Sequence, residues 1–77
     1  MSGYVGWLVR RRLPTRPLDH IIVTDARGVV VAHRPLPYGA ESPGGWDRTL
    51  VHLGFERTGG WVPTAGGFAC RTRGERP

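Results

Sequence analysis

Glycine and proline punctuate this chain so often that it can only fold into short elements joined by turns. Twelve glycines and seven prolines make up about a quarter of the 77 residues. That share approaches the range of low-complexity chains. Between the breakers, however, the apolar residues form patterned runs, and those runs can be assigned one by one.

Residues 4–13 read as a first strand. Val5, Trp7 and Val9 alternate on one face and Gly6, Leu8 and Arg10 on the other. Pro14 ends it, because proline cannot donate to a sheet ladder, and Thr15-Arg16-Pro17 continues as an extended connection. Residues 20–25 and 29–34 are β-branched and make the second and third strands. Asp25-Ala26-Arg27-Gly28 between them is a hairpin turn: Asp suits its first position and Gly supplies the positive φ of a bulged loop.

Residues 35–45 hold three prolines and three glycines and read as a loop. A loop this long in so small a domain is either functional, mobile or a crossover from sheet to helix. A short helix follows, from Pro43 or Gly45 to Leu53. Ser42 caps it, Pro43 occupies the first helical position, and Trp46, Leu50 and Leu53 form an apolar stripe. Asp47 in the first turn and His52 in the last suit the helix dipole. Gly54 ends the helix, and Phe55 folds back on Leu50. Residues 55–62 are extended again with a kink or bulge at Gly59-Gly60, residues 63–67 turn, and 68–73 form the last strand. Residues 74–77 are a polar tail expected to fray.

The order is β-β-β-α-β-β. It predicts one α+β domain over residues 1–77: a small, mostly antiparallel sheet of about five strands with one short helix packed on a face. A chain this short buries only about 60–65% of its unfolded surface, so the core is a thin layer. Trp7 and Trp46 are expected to fill it, and Trp61, beside Gly59, Gly60 and Pro63, is expected to be exposed.

The catalytic and metal motifs are missing. His20, His33 and His52 are isolated, and a single cysteine, Cys70, cannot anchor a structural zinc site. Cys70 reads as a small buried strand residue. A lone cysteine makes no internal disulfide, which points to a reducing compartment. The six acids are scattered. Ser42-Pro43-Gly44-Gly45 precedes a helix but lacks the spacing of a phosphate loop. The run Leu50-Val51-His52-Leu53-Gly54-Phe55-Glu56-Arg57-Thr58-Gly59 resembles the helix-to-strand step of the GNAT acetyltransferase family over about ten residues. The acyl-CoA loop pattern [RQ]-x-x-G-x-[GA] is absent, so the resemblance implies shared helix-cap physics rather than acetyl transfer. No enzyme activity, cofactor, metal or small-molecule ligand is expected. The apolar run Val5–Val9 is far shorter than the roughly 20 residues that cross a bilayer. No targeting segment is read, and a cytoplasmic location is expected.

Charge supplies the one positive signal. The net charge is +5, and every basic residue is arginine. With so much Gly, Pro, Ala and Val, that usage reflects a GC-rich genome. The excess sits at the ends: Arg10, Arg11 and Arg12 without an acid, then a balanced middle, then Arg71, Arg73 and Arg76 against Glu75. If the first and last strands are neighbours, these six arginines merge into one basic patch flanked by Tyr4, Trp7 and Trp61. Such a patch suits phosphate contact and base stacking. The strand period, though, places Arg11 on the face opposite Arg10 and Arg12. The expectation is therefore a non-catalytic binding module that mediates protein–protein contact or self-associates as a homodimer. The alternative is a small nucleic-acid-binding protein using Arg10, Arg11, Arg12, Arg71, Arg73, Arg76 and Trp61.

Overall fold

The computed structural model describes residues 3–12, 17–36 and 42–74. The expected stop at Pro14, the Thr15-Arg16 connection, most of the 35–45 loop, Arg76 and nearly all of the 74–77 tail lie outside the described residues.

The expected α+β order is present. Strands β1 (Tyr4–Arg12), β2 (Pro17–Thr24) and β3 (Val30–Pro35) precede helix α1 (Pro43–His52). Strands β4 (Phe55–Arg57), β5 (Val62–Thr64) and β6 (Gly67–Gly74) follow it. All pairings are antiparallel, in the order β3-β2-β1-β6-β4, with β5 also on β6. The fourth strand of the sequence reading, residues 55–62, is thus interrupted. Its two halves flank a bulge in which Thr58 and Gly59 both donate to the Arg71 carbonyl. The extended chain also runs on through Thr64, so the turn is tighter than 63–67. At Gly67 φ is +153°, and a Cβ there would collide with the Leu8 carbonyl oxygen. Only glycine lets the β5–β6 turn approach β1 this closely.

The β2–β3 hairpin turns as its residues dictate. The Asp25 carboxylate accepts from the backbone N–H of Arg27 at 2.8 Å and of Val29 at 3.0 Å. Gly28 has φ +81°. Strand β3 starts at Val30, and a bulge opposite Thr24 makes Val31 the extra residue.

Helix α1 starts where Ser42 caps it, its hydroxyl accepting from Gly45 N–H at 3.4 Å, with Pro43 in the first turn. Because the helix begins at Pro43, its first turn holds no acid. Asp47 lies one turn further on, which corrects its expected role at the helix dipole. The buried stripe is Trp46, Thr49 and Leu50. Leu53 is the C-cap and half-buried, and Gly54 follows at φ +91°. Phe55 packs against the core, edge-on to Tyr4.

The core lies between α1 and one face of the sheet. It consists of Leu8, Ile21, Val23, Trp46, Leu50 and Cys70. Gly6 allows the approach: a Cβ there would stand 3.0 Å from Thr72 Cγ2, 3.2 Å from Leu50 Cδ2 and 3.3 Å from Cys70 Sγ. Trp7 is absent from this core. The register sets Gly6 and Leu8 beside Cys70 and Phe68 on the helix side, so strand alternation turns Val5, Trp7 and Val9 to the other face. Among the described residues, no helix is long and apolar enough to cross a membrane.

Candidate binding surface

Among the described residues, Arg10 does not converge with Arg71 and Arg73; Arg76 and the side chains of Arg11 and Arg12 lie outside them. Strands β1 and β6 are indeed neighbours, but they run antiparallel, with Val5 opposite Arg71 and Val9 opposite Gly67. Arg10 therefore lies five residues along from Arg71, about 16 Å at the strand rise. The two also face opposite ways. Arg10 lies on the helix side with its guanidinium 5.9 Å from the Trp46 ring centre and 5.5 Å from that of Phe68. Arg71 shares the other side with Val5. Arg73 is paired with Glu56 across β4 and β6. The backbones of Arg11 and Arg12 extend β1 beyond β6, opposite Leu18 and Pro17 of β2.

Trp61 is half-buried rather than exposed. Its indole N–H donates to Asp47 Oδ1 at 2.8 Å, and its ring meets Trp46 edge-on at 5.4 Å. Arg57 grips the same carboxylate with two donors, Nε at 2.9 Å and Nη2 at 3.1 Å, and its Nη1 donates to the Gly59 carbonyl at 2.8 Å. This cluster clasps helix α1 to the bulge between β4 and β5. Burial alone would raise the Asp47 pKa, but the hydrogen bonds from Arg57 and Trp61 and the Arg57 charge hold it below its ordinary value. No local signal announces the clasp, because its members are ten and fourteen residues apart.

Cys70 is buried, and desolvation pushes its thiol up to about 11. At neutral pH it is a thiol rather than a thiolate nucleophile. Among the described residues, no three His, Cys, Asp or Glu side chains gather as a metal site would require.

The face of the sheet turned away from α1 is the largest feature left. Register and alternation place Val5, Trp7 and Val9 of β1, His20, Ile22 and Thr24 of β2, Val62 of β5 and Ala69 of β6 on it. Val62 is 61% exposed. Trp7 stands at its centre, and its indole N–H donates to Thr24 Oγ1 at 2.9 Å. On one flank, the small residues Ala69 and Gly67 of β6 lie between β1 and β5. Among the described residues, the charged side chains on this side are Arg71, opposite Val5, and the Arg73–Glu56 pair beyond it, while His33 of β3 lies opposite Ile22.

Most of these residues were missed as functional candidates. The signal was present in Val5-Gly6-Trp7-Leu8-Val9, which is apolar at every position. A strand covered on one face only should alternate with polar residues. No family model, no curated protein and no solved structure matches the chain.

Proposed function

We propose that this protein is a non-catalytic binding module that works by protein–protein contact through the open face of its sheet. One observation carries the reading. The central strand is apolar on both faces, and helix α1 covers only one of them. An apolar face left without a covering element is the usual mark of an interaction site. The placement of the arginines favours protein contact over nucleic-acid binding. Arg10 stacks on aromatic rings, Arg73 is matched by Glu56, and Arg71 lies on a different face from Arg10. A phosphate-binding surface needs its cations on one side, free to displace counterions.

The test compares two exposed valines. Val62 lies on the open face, and Val51, 52% exposed, lies on helix α1. A photo-crosslinking amino acid is placed at each position in turn, in cells of the source. Protein adducts at position 62 and not at 51 support the reading. Equal yields at both positions, or none at 62, reject it.

A further inference from the structure

We infer that the partner covering the open face is a second copy of this chain, packed sheet against sheet. The inference rests on the reading of that face as a protein-binding surface, and goes further by naming the occupant.

Area is the first argument. The sheet is five strands wide along its main path, and its longer strands run from six to nine residues. At about 4.8 Å between strands and about 3.3 Å per residue, the face covers roughly 500 Å². Two copies bury roughly 1,000 Å² in total, the lower bound for a specific interface. The same packing adds a second buried apolar layer to a chain whose own core, among the described residues, holds six buried side chains.

Shape is the second. A two-fold interface must be self-complementary, carrying both a projection and the recess that receives it. Trp7 sits in the middle of β1 with its indole tied to Thr24 of β2, and the small residues Ala69 and Gly67 of β6 lie on its other flank. A two-fold axis within the interface sets each Trp7 against the other copy's Ala69 and Gly67. Aligned sheets pack about 10 Å apart with interdigitating side chains, which this arrangement satisfies.

Polarity is the third. Burying an indole N–H without a partner is costly. Here the Trp7 donor is already satisfied by Thr24 within its own chain. The centre of the face can therefore go dry without a hydrogen bond from the partner.

Each copy carries a net charge of +5. Two such copies repel, so salt should tighten their association by screening. Contact with an acidic protein or a nucleic acid behaves the opposite way and weakens with salt.

The experiment is sedimentation equilibrium of the full chain over a concentration series at low and at high salt. The expected result is a reversible rise from 8.5 kDa to twice that mass. The midpoint should fall to lower protein concentration as salt increases. Val62→Arg and Trp7→Ser should each raise the midpoint at least tenfold, and Val51→Arg should not. Circular dichroism of Val62→Arg, altered at an exposed position, verifies that the fold survives. A constant 8.5 kDa mass at both salts overturns the inference, and so does a dimer that Val62→Arg leaves intact. The two proposals fail separately. Position-62 adducts to other proteins from a chain that stays monomeric overturn the second-copy inference and leave the binding-module reading standing. An absence of adducts removes both.

Discussion

The two faces of this sheet are built from the same strands, with adjacent residues supplying opposite sides, and yet they behave differently. On the helix side, Leu8, Ile21 and Val23 are at most 1% exposed, sealed beneath Trp46 and Leu50. On the other side, Val5, Trp7, Val9 and Ile22 are only half-buried, by one another. Polar satisfaction runs against burial. The covered face holds two buried polar atoms, Trp46 Nε1 and Thr72 Oγ1, with no partner among the described residues. The open face has its one indole donor bonded. Stability therefore comes from the covered face, and the open face is free to change without unfolding the chain.

The sharpest way to break that contrast is to damage the covered face. Leu50 is fully buried between the helix and the sheet. Leu50→Ala should cost about 3–4 kcal/mol, the transfer and cavity cost of a truncated core leucine. For a chain with a single thin core this is a large part of its total stability. Thermal unfolding should shift strongly downward or lose its cooperative transition. Gly6→Ala tests the same layer from beneath. Its new methyl would meet Thr72 at 3.0 Å and Leu50 at 3.2 Å, so the helix must lift. Overpacking of this size costs about 1–3 kcal/mol, read as a lower denaturation midpoint in urea.

The clasp at the rim of the covered face is worth less. Asp47 and Arg57 are each more than a third exposed in their side chains, so solvent screens their attraction. Asp47→Asn should cost about 1 kcal/mol or less at neutral pH. The sign with pH is fixed by the depressed pKa of Asp47. A carboxylate with a folded-state pKa below its unfolded value of 3.8 stabilises the fold above that value. That contribution is lost as pH falls through the lower folded value. The gap between Asp47→Asn and the parent protein should accordingly close below pH 3.8, which urea titrations at neutral and acid pH can measure. A constant gap would place the effect of Asp47 in packing rather than charge.

Legibility followed the range of the interactions. Hairpin 25–28, the Ser42 cap, Gly54 and the bulge at 58–60 are local, and each could be read from its own residues. Two long-range features could not. The clasp joins Asp47 to Arg57 and Trp61 through a packing contact that no spacing reveals. Arg10 stays apart from Arg71 and Arg73 for a topological reason. Arg10–Arg12 close β1, and Arg71 and Arg73 lie toward the end of β6. Clusters near the C-terminal ends of two neighbouring strands meet only if those strands run parallel. Antiparallel pairing, itself expected from the sequence, sends them to opposite ends. That large aromatics dominate cores favours Trp7 for the interior, but alternation with Leu8 and the small Gly6 decides the side. The helix can come down only on the face where Gly6 leaves room, and Trp7 is on the other.

The smallest effect is expected where the function is proposed. Trp7→Ser removes the largest side chain of the open face together with its bond to Thr24. In the isolated chain the ring and the Thr24 hydroxyl are half-buried at the surface, so the loss opens onto water rather than into a sealed cavity. The cost to the monomer should be about 1 kcal/mol or less, well below that of Leu50→Ala. Measured at dilute protein concentration, the two substitutions rank the faces directly. At high concentration the ranking should narrow, because anything that binds only the folded chain adds to its apparent stability. The parent protein would then gain stability with concentration, and Trp7→Ser would not. If Trp7→Ser instead destabilises the dilute chain as much as Leu50→Ala does, the open face is a second core and the division between the faces collapses.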